Sequence, residues 1–185
     1  MSAMMKEKPK SQRDWNVEPA TDADWPGIWD IFHDVVKSGD TYSYAPDTGE
    51  ELARDVWVRN KADGYSGAKG YVVKDGGKVV GTYSLRHNHY GLGAHVANAA
   101  YMVHKDYRGQ GIARAMCADS LNEAKKEGCI SMQFNYVVST NTCAVDLWKD
   151  MGFQIIGTSP KSYRHSKLGL VDIYIMHRFL DGVGA

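Results

Sequence analysis

Residues 101–116, YMVHKDYRGQGIARAM, constrain the chain more than any other stretch. An alternating apolar run ends at Val103, Arg108, Gly109, Gln110 and Gly111 follow, and a helical pattern starts at once. Two glycines therefore stand at the mouth of a helix that leaves a strand. The first turn of a helix carries N–H groups with no intrahelical partner and a partial positive charge. Glycines ahead of it let a ligand reach the backbone, and such a place holds an anion, commonly a phosphate. Two familiar phosphate loops do not fit. The Walker loop ends in Gly-Lys-Ser/Thr, which is absent. The dinucleotide fingerprint is G-x-G-x-x-G after the first strand of a βαβ unit, with an acid about 20 residues on. The spacing here is Arg108-x-x-Gly111-x-Ala113.

The rest of the chain alternates strand and helix patterns around this unit. A short strand is expected at 16–19. Thr21 reads as an N-cap, with Asp24 three residues on and Pro26 in the first turns. Ile28, Ile31, Phe32, Val35 and Val36 then recur at helical spacing up to Lys37. After a tyrosine-rich loop, Thr48 and Glu51 have capping-box spacing and open a second helix to about Asn60. Two β-rich runs around Asp75-Gly76-Gly77 read as a hairpin. Residues 95–104 alternate, with Val96, Asn98, Ala100 and Met102 on one face and Ala97, Ala99, Tyr101 and Val103 on the other. A helix at 111–127 stops at Gly128. A strand, a helix capped by Asn141 and ended by Gly152, and two closing strands follow. The closing strands are expected to be separated by a long loop from 159 to 169. The order β-α-α-β-β-β-α-β-α-β-β predicts one α/β domain over 15–182, behind a flexible polar tail at 1–14.

Charge narrows the partners. Lys+Arg and Asp+Glu both number 22, so no overall positive field exists to draw nucleic acid or an acidic membrane surface. No apolar run approaches the roughly 20 residues needed to cross a bilayer. The expectation is therefore no nucleic acid, no membrane and a cytoplasmic location. Cys117, Cys129 and Cys143 sit in apolar patterns at wide spacing and read as buried thiols, not as a disulfide or zinc set. His87 and His89, with His95 nearby, lack the partners and spacing of common metal sites, so no metal is expected. His33 and His95 read as surface or hydrogen-bonded histidines before proton relays.

A second motif gives the first its meaning. NTCAVDLWKDMGF, residues 141–153, lies one helix and one strand after the glycine loop. Together the two resemble the signatures of the GCN5-related N-acetyltransferases: [R/Q]-x-x-G-x-[G/A] after a strand ending in Val, then Asn-x-x-Ala-x-x-Leu-[Tyr/Trp]-x-x-x-Gly-Phe. The resemblance implies a single-domain fold with a central, mostly antiparallel, twisted sheet of about seven strands and about four flanking helices. It implies acetyl-CoA as cosubstrate and an amine as acceptor. By resemblance, the backbone of Met102 and Val103 bonds the pantetheine and polarises the thioester. Arg108, Gly109, Gln110, Gly111, Ile112 and Ala113 cradle the pyrophosphate, and Asn141 contacts the pantetheine. From spacing alone Asn141 is equally a plain helix cap. One departure matters. Many family members protonate the leaving sulfur with a tyrosine where this chain has Trp148. An indole N–H is not an acid at ordinary pH, which leaves Tyr101, Tyr136 and Tyr42 as substitutes, unranked.

The acceptor side rests on asparagines. Asn98 and Asn135 lie in strands, amid apolar neighbours, where asparagine is disfavoured unless paired. Both read equally as satisfied core amides or as site residues. FNYVVSTN, residues 134–141, and the early SGDTY resemble the azetidine-2-carboxylate acetyltransferases, in which the matching asparagines line the amino-acid pocket. The loop TYSYAPDTGEE resembles that of phosphinothricin acetyltransferases. This places Thr41, Tyr42, Tyr44, Asn98 and Asn135 against the substrate, with Asn98 and Asn135 as catalytic candidates. No carboxylate stands out as a base, so a water held by amides and carbonyls is expected to take the proton. The chain reads as an N-acetyltransferase of a small amine, an amino acid or a toxic analogue. The rivals are acetylation of a protein N-terminus or lysine, and a noncatalytic coenzyme A sensor. A homodimer is compatible with this reading.

Overall fold

The computed structural model describes residues 13–59 and 68–183. Most of the predicted tail, and Asn60 at the end of the predicted second helix, lie outside them. β1 (Val17–Pro19) leads through a 3-10 turn into α1 (Trp25–Lys37). Thr21 caps that turn as expected: its N–H and hydroxyl both donate to Asp24 Oδ2 at 2.8 Å. α1 buries Ile28, Ile31, Phe32, Val35 and Val36.

The second helix is shorter than its sequence pattern. α2 (Glu50–Arg54) passes into one π-helical turn over Asp55–Arg59. Thr48 does not cap it. Its hydroxyl donates back to the Ala45 carbonyl at 2.6 Å, and Gly49 takes the cap position. The widened turn carries Trp57 into the core, where its N–H reaches Thr82 Oγ1 at 3.0 Å.

Then come β2 (Lys69–Asp75), β3 (Lys78–His87), β4 (Val96–Val103), α3 (Ile112–Lys126), β5 (Ser131–Val138), α4 (Thr142–Asp150), β6 (Gln154–His165) and β7 (Gly169–Phe179). They form one seven-stranded sheet in the order β1-β2-β3-β4-β5-β7-β6. Each adjacent pair is antiparallel except β4 with β5. The predicted fold class holds. So does the predicted alternation in β4: Ala100 and Met102 pack on the α1 side, and Ala97, Ala99, Tyr101 and Val103 on the α3 side. The larger core cluster gathers around α3 and includes Ile112, Met116, Cys117 and Leu121.

Two expectations need correction. The predicted loop 159–169 is largely strand: β6 continues to His165, with Tyr163, Arg164 and His165 paired to Val171, Leu170 and Gly169. β6 is an edge strand with mostly exposed side chains, so it shows no apolar alternation to read. A register shift between Ser159 and Tyr163 breaks the pattern further. Among the cysteines, Cys117 and Cys129 are buried but Cys143 is exposed, in the first turn of α4, where it lines the cavity between β4 and β5.

Candidate active site

The site begins where the sheet fails to close. β4 and β5 pair only at Val96–Ser131 and Ala97–Met132, although both strands run on for several residues. Beyond Ala97 they diverge. Residues 98–103 and 134–138 line a cavity of about 870 Å³, within the range that holds large ligands.

The register of β4 decides which backbone groups face the gap. His104 N–H donates to the Val80 carbonyl, and Asn88 N–H to the Val96 carbonyl. In an antiparallel ladder, hydrogen-bonded pairs recur every second residue. The pairs Thr82–Met102, Ser84–Ala100 and Arg86–Asn98 are therefore the bonded ones. The groups of Ala99, Tyr101 and Val103 point into the gap instead.

At the far end of the gap lies the glycine loop. Gly109 and Gly111 have φ of 74° and 85°, a region that side chains disfavour. A Cβ on Gly109 would meet nothing within 4 Å among the described residues, so that face of the loop is open. The first α-helical bond of α3 runs from Ala115 N–H to the Gly111 carbonyl. The N–H groups of Ile112, Ala113 and Arg114 lie ahead of it, with no side chain among the described residues capping them. Close packing holds this helix start against the sheet: a Cβ on Gly81 would come 2.6 Å from Ile112 Cγ2. Arg114 ties α3 to α4 through Asp150 at 3.0 Å. The result is a rigid row of N–H groups at the mouth of the gap, suited to an anionic group such as a pyrophosphate.

The other end is roofed. The loop between α1 and α2 supplies Asp40, Thr41, Tyr42, Ser43 and Tyr44 to the lining. The β6–β7 hairpin holds that loop down. Tyr163 donates from its hydroxyl to the Tyr42 carbonyl at 3.2 Å, and Ser166 N–H to the Gly39 carbonyl at 2.9 Å. Beneath the roof, Asn88 Oδ1 accepts from Asn98 Nδ2 at 3.2 Å and from Asn135 Nδ2 at 2.5 Å. Asn135 Oδ1 accepts from Gln133 at 2.8 Å. Asn135 sits where β5 shifts register against β7, between Phe134 and Val137. A bulge re-aims a side chain, which explains an asparagine in mid-strand. Thr41 Oγ1 is buried in the lining with no hydrogen-bond partner among the described residues, a group that a ligand would satisfy.

Residues 29–153 match the model of the acetyltransferase (GNAT) family. A GCN5-related N-acetyltransferase from Kribbella flavida is 41% identical, with 89% of this chain and 97% of that chain covered and a TM-score of 0.82. The chain belongs to the GNAT family of acetyltransferases. More distant structures share its fold. The ribosomal-protein-alanine N-acetyltransferase from Brucella melitensis is 24% identical, with 89% and 99% covered and a TM-score of 0.73. YncA from Salmonella typhimurium, solved with its cofactor acetyl-CoA, is 20% identical, with 94% and 98% covered and a TM-score of 0.74.

Against this GNAT frame the predicted site residues can be placed one by one. Val103, Arg108, Gly109, Gly111, Ile112, Ala113 and Asn141 line the cavity on the glycine-loop side, and Thr41, Tyr42, Tyr44, Asn98 and Asn135 on the roofed side. Asn141 caps α4 through its Oδ1, which accepts from Ala144 N–H at 3.4 Å, and it also lines the cavity. Two residues fall elsewhere. Met102 lines the cavity, but its backbone is engaged with Thr82 on β3; Tyr101 replaces it beside Val103 as the gap-facing residue. The correction follows from strand parity, which the motif spacing alone does not display. Gln110 lies outside the lining. Its carbonyl accepts from the Trp15 indole at 2.8 Å and its amide donates to the Asp106 carbonyl at 3.3 Å.

The tyrosines also separate. Tyr101 points its hydroxyl away from the gap, 2.7 Å from Ser120 Oγ, and burial raises its pKa well above the ordinary tyrosine value. The Tyr136 hydroxyl donates to the Ser162 carbonyl on the outer hairpin. The Tyr42 hydroxyl lies on the open edge of β4: it donates to the Tyr101 carbonyl at 2.6 Å and accepts from the Tyr101 N–H at 3.0 Å. Burial raises its pKa too, so it stays a neutral donor at physiological pH. Trp148 is a floor residue, with ring centroids 4.9 Å from Tyr101 and 5.0 Å from Phe134. Sequence reasoning missed Asp40, Arg86 and Asn88. Nothing in the sequence marked them: Asn88 lies in the polar run RHNHYG and shows as buried only once the fold is in place.

Proposed function

We propose that this GNAT protein is an acetyl-CoA-dependent N-acetyltransferase of a small amine, an amino acid or a toxic amino-acid analogue, acting by direct attack in a ternary complex. The observation that carries the reading is the roof: the Tyr163 and Ser166 bonds close the acceptor end over an asparagine cluster, where a protein substrate would need an open groove. The resemblance of the early loop and of FNYVVSTN to small amino-acid acetyltransferases supports the same class.

Acetyl-CoA supplies an activated acetyl thioester. The N–H groups that open α3 hold its pyrophosphate, and the gap-facing backbone of Val103, with that of Tyr101 once the Tyr42 hydroxyl gives it up, takes the pantetheine arm in the manner of an added strand. The acceptor lies between Asn98, Asn135 and the 40–44 loop. Asn88 fixes both amides, so the amine is held in attack geometry. Asn98 Oδ1, whose amide nitrogen is held by Asn88, accepts from the amine and steadies the water that removes its proton. Asp40 lines the same cavity and can take that proton onward. Tyr42, at the thioester edge of β4, is the hydroxyl that protonates the departing thiolate. Thiol release from acetyl-CoA, followed over a panel of amino acids, proline analogues, phosphinothricin and N-terminal peptides, tests the reading. Turnover with small amino acids is expected; turnover with peptides alone would give the site to a protein acceptor, and none with any amine would leave a coenzyme A sensor.

A further inference from the structure

We propose that Arg86 recognises a carboxylate on the acceptor, so that the substrates are amines carrying that group; this rests on the N-acetyltransferase reading and narrows its substrate class. Arg86 ends β3 directly opposite Asn98 in a hydrogen-bonded pair. Side chains of such a pair rise from the same face, within about 5.5 Å of each other. Both line the cavity. Arg86 is half-buried, and among the described residues its guanidinium has no ion pair or hydrogen bond. Arg13, Arg54 and Arg114 instead each bond a carboxylate, at 2.7, 2.6 and 3.0 Å, and Arg178 bonds the Met151 carbonyl; Arg108 and Arg164, which have no such bond among the described residues, are exposed. A guanidinium drawn partly out of water and left unpaired is unfavourable, and its planar fork matches a carboxylate with two parallel bonds.

The donor's phosphates are not its target. The N–H groups that hold them follow Val103, at the opposite end of β4 from Asn98. Asn98 and Val103 are five residue steps apart along the strand, roughly 16 Å at the usual rise per residue. Nor do the asparagines compete for the role. Asn98 and Asn135 each commit an amide hydrogen to Asn88 Oδ1, and Asn135 Oδ1 is taken by Gln133. The strongest free donor at the acceptor end is the guanidinium. A carboxylate there places the amine of a short amino acid toward Asn98 and the gap.

The test compares each common amino acid, azetidine-2-carboxylate and phosphinothricin with its own carboxamide, on the wild type, Arg86→Gln and Arg86→Lys. The readout is the ratio of kcat/KM for acid over amide, which is independent of the folded fraction. For at least one pair the wild-type ratio is expected to be about 100, from two charge-assisted hydrogen bonds. Arg86→Gln should bring the ratio to near parity, mainly through KM, and Arg86→Lys should leave an intermediate value, because charge remains but the fork is lost. A ratio near one for every pair in the wild type, or a ratio unchanged in Arg86→Gln, overturns the proposal. Calorimetric binding of the same pairs to the coenzyme A-saturated protein gives the ratio without turnover and is judged by the same outcomes. A protein that prefers acids yet releases no thiol would retain the Arg86 assignment and lose the N-acetyltransferase reading; one that turns over acids and amides alike would do the reverse.

Discussion

The two ends of the cavity are built differently. The donor end is backbone: N–H groups of a helix start and of a strand edge, presented by residues within 101–114 of one continuous stretch. The acceptor end is side chain, assembled from four separate parts of the chain. The Asn88–Asn135 bond spans 47 residues, Tyr42–Tyr101 spans 59 and Tyr163–Tyr42 spans 121. A backbone site can keep its geometry whatever side chains surround it, so its motif is short and its ligand constant. A side-chain site changes with any one contributor. One end can therefore serve a whole family with one donor while the other varies its amine.

The largest effect should come from attacking the backbone end. Gly109→Asp keeps a residue that tolerates positive φ and projects it into open space, so the fold should survive. It also places a carboxylate at the anion cradle. Like-charge juxtaposition costs several kcal/mol, so coenzyme A affinity by calorimetry should fall about 100-fold or more, for every acceptor alike. Affinity within a few-fold of wild type would remove the cradle from the donor site.

Next is the side-chain end. Asn135→Ala strips one of the two donors from Asn88 Oδ1 and releases Gln133. The loss of one buried amide contact, about 1–3 kcal/mol, predicts a fall of roughly 10- to 100-fold in kcat/KM for the best acceptor, with coenzyme A affinity unchanged. Full activity on that acceptor would break the distinction between the two ends, since it would leave the asparagine cluster as core and not site.

What the sequence made legible follows the same divide. The glycine loop, Asn141 and α3 could be placed because helix starts and glycines act locally, within a few residues. Asn98 and Asn135 could be flagged as anomalous but not joined, because Asn88, which joins them, acts through a third chain segment. Arg86 could not be singled out: a half-buried arginine at a strand end looks like any solvated one until the opposite strand is placed. The misassigned backbone of Met102 has a similar origin. Side-chain alternation in β4 was readable, but which parity bonds β3 depends on the β3 register. The end of β6 was hidden because an exposed edge strand leaves no apolar trace.

Tyr42→Phe asks whether the two ends communicate. The Tyr42 hydroxyl belongs to the roof but occupies the Tyr101 N–H and carbonyl, which the proposed pantetheine path uses. Removing it spares the donor that displacement. A neutral hydrogen bond is worth about 0.5–1.5 kcal/mol net, so coenzyme A should bind roughly two- to tenfold more tightly, while kcat falls because the thiolate loses its proton donor. Tighter binding with undiminished kcat would keep Tyr42 as a plug and remove it from proton transfer. Unchanged binding would show that the two ends are independent.

The smallest effect is expected at Trp148, where family habit would predict one of the largest. Trp148 lines the floor beneath the gap and packs against Tyr101, Phe134 and Phe153, with 8% of its surface exposed. The family resemblance implies a tyrosine hydroxyl as proton donor at this point; the indole cannot be one at ordinary pH. Its part is then to fill volume beside the strand edge. Phenylalanine keeps the aromatic packing and gives up part of that volume, a loss of about 1–2 kcal/mol in stability as a core truncation. Trp148→Phe should therefore lower the unfolding midpoint modestly and leave kcat within about tenfold of wild type, a barrier change of about 1.4 kcal/mol. If kcat instead fell by several orders of magnitude, with coenzyme A affinity and the fold intact, the floor would be part of the chemistry. The proton donor would then have to be sought through the indole, not in the acceptor roof.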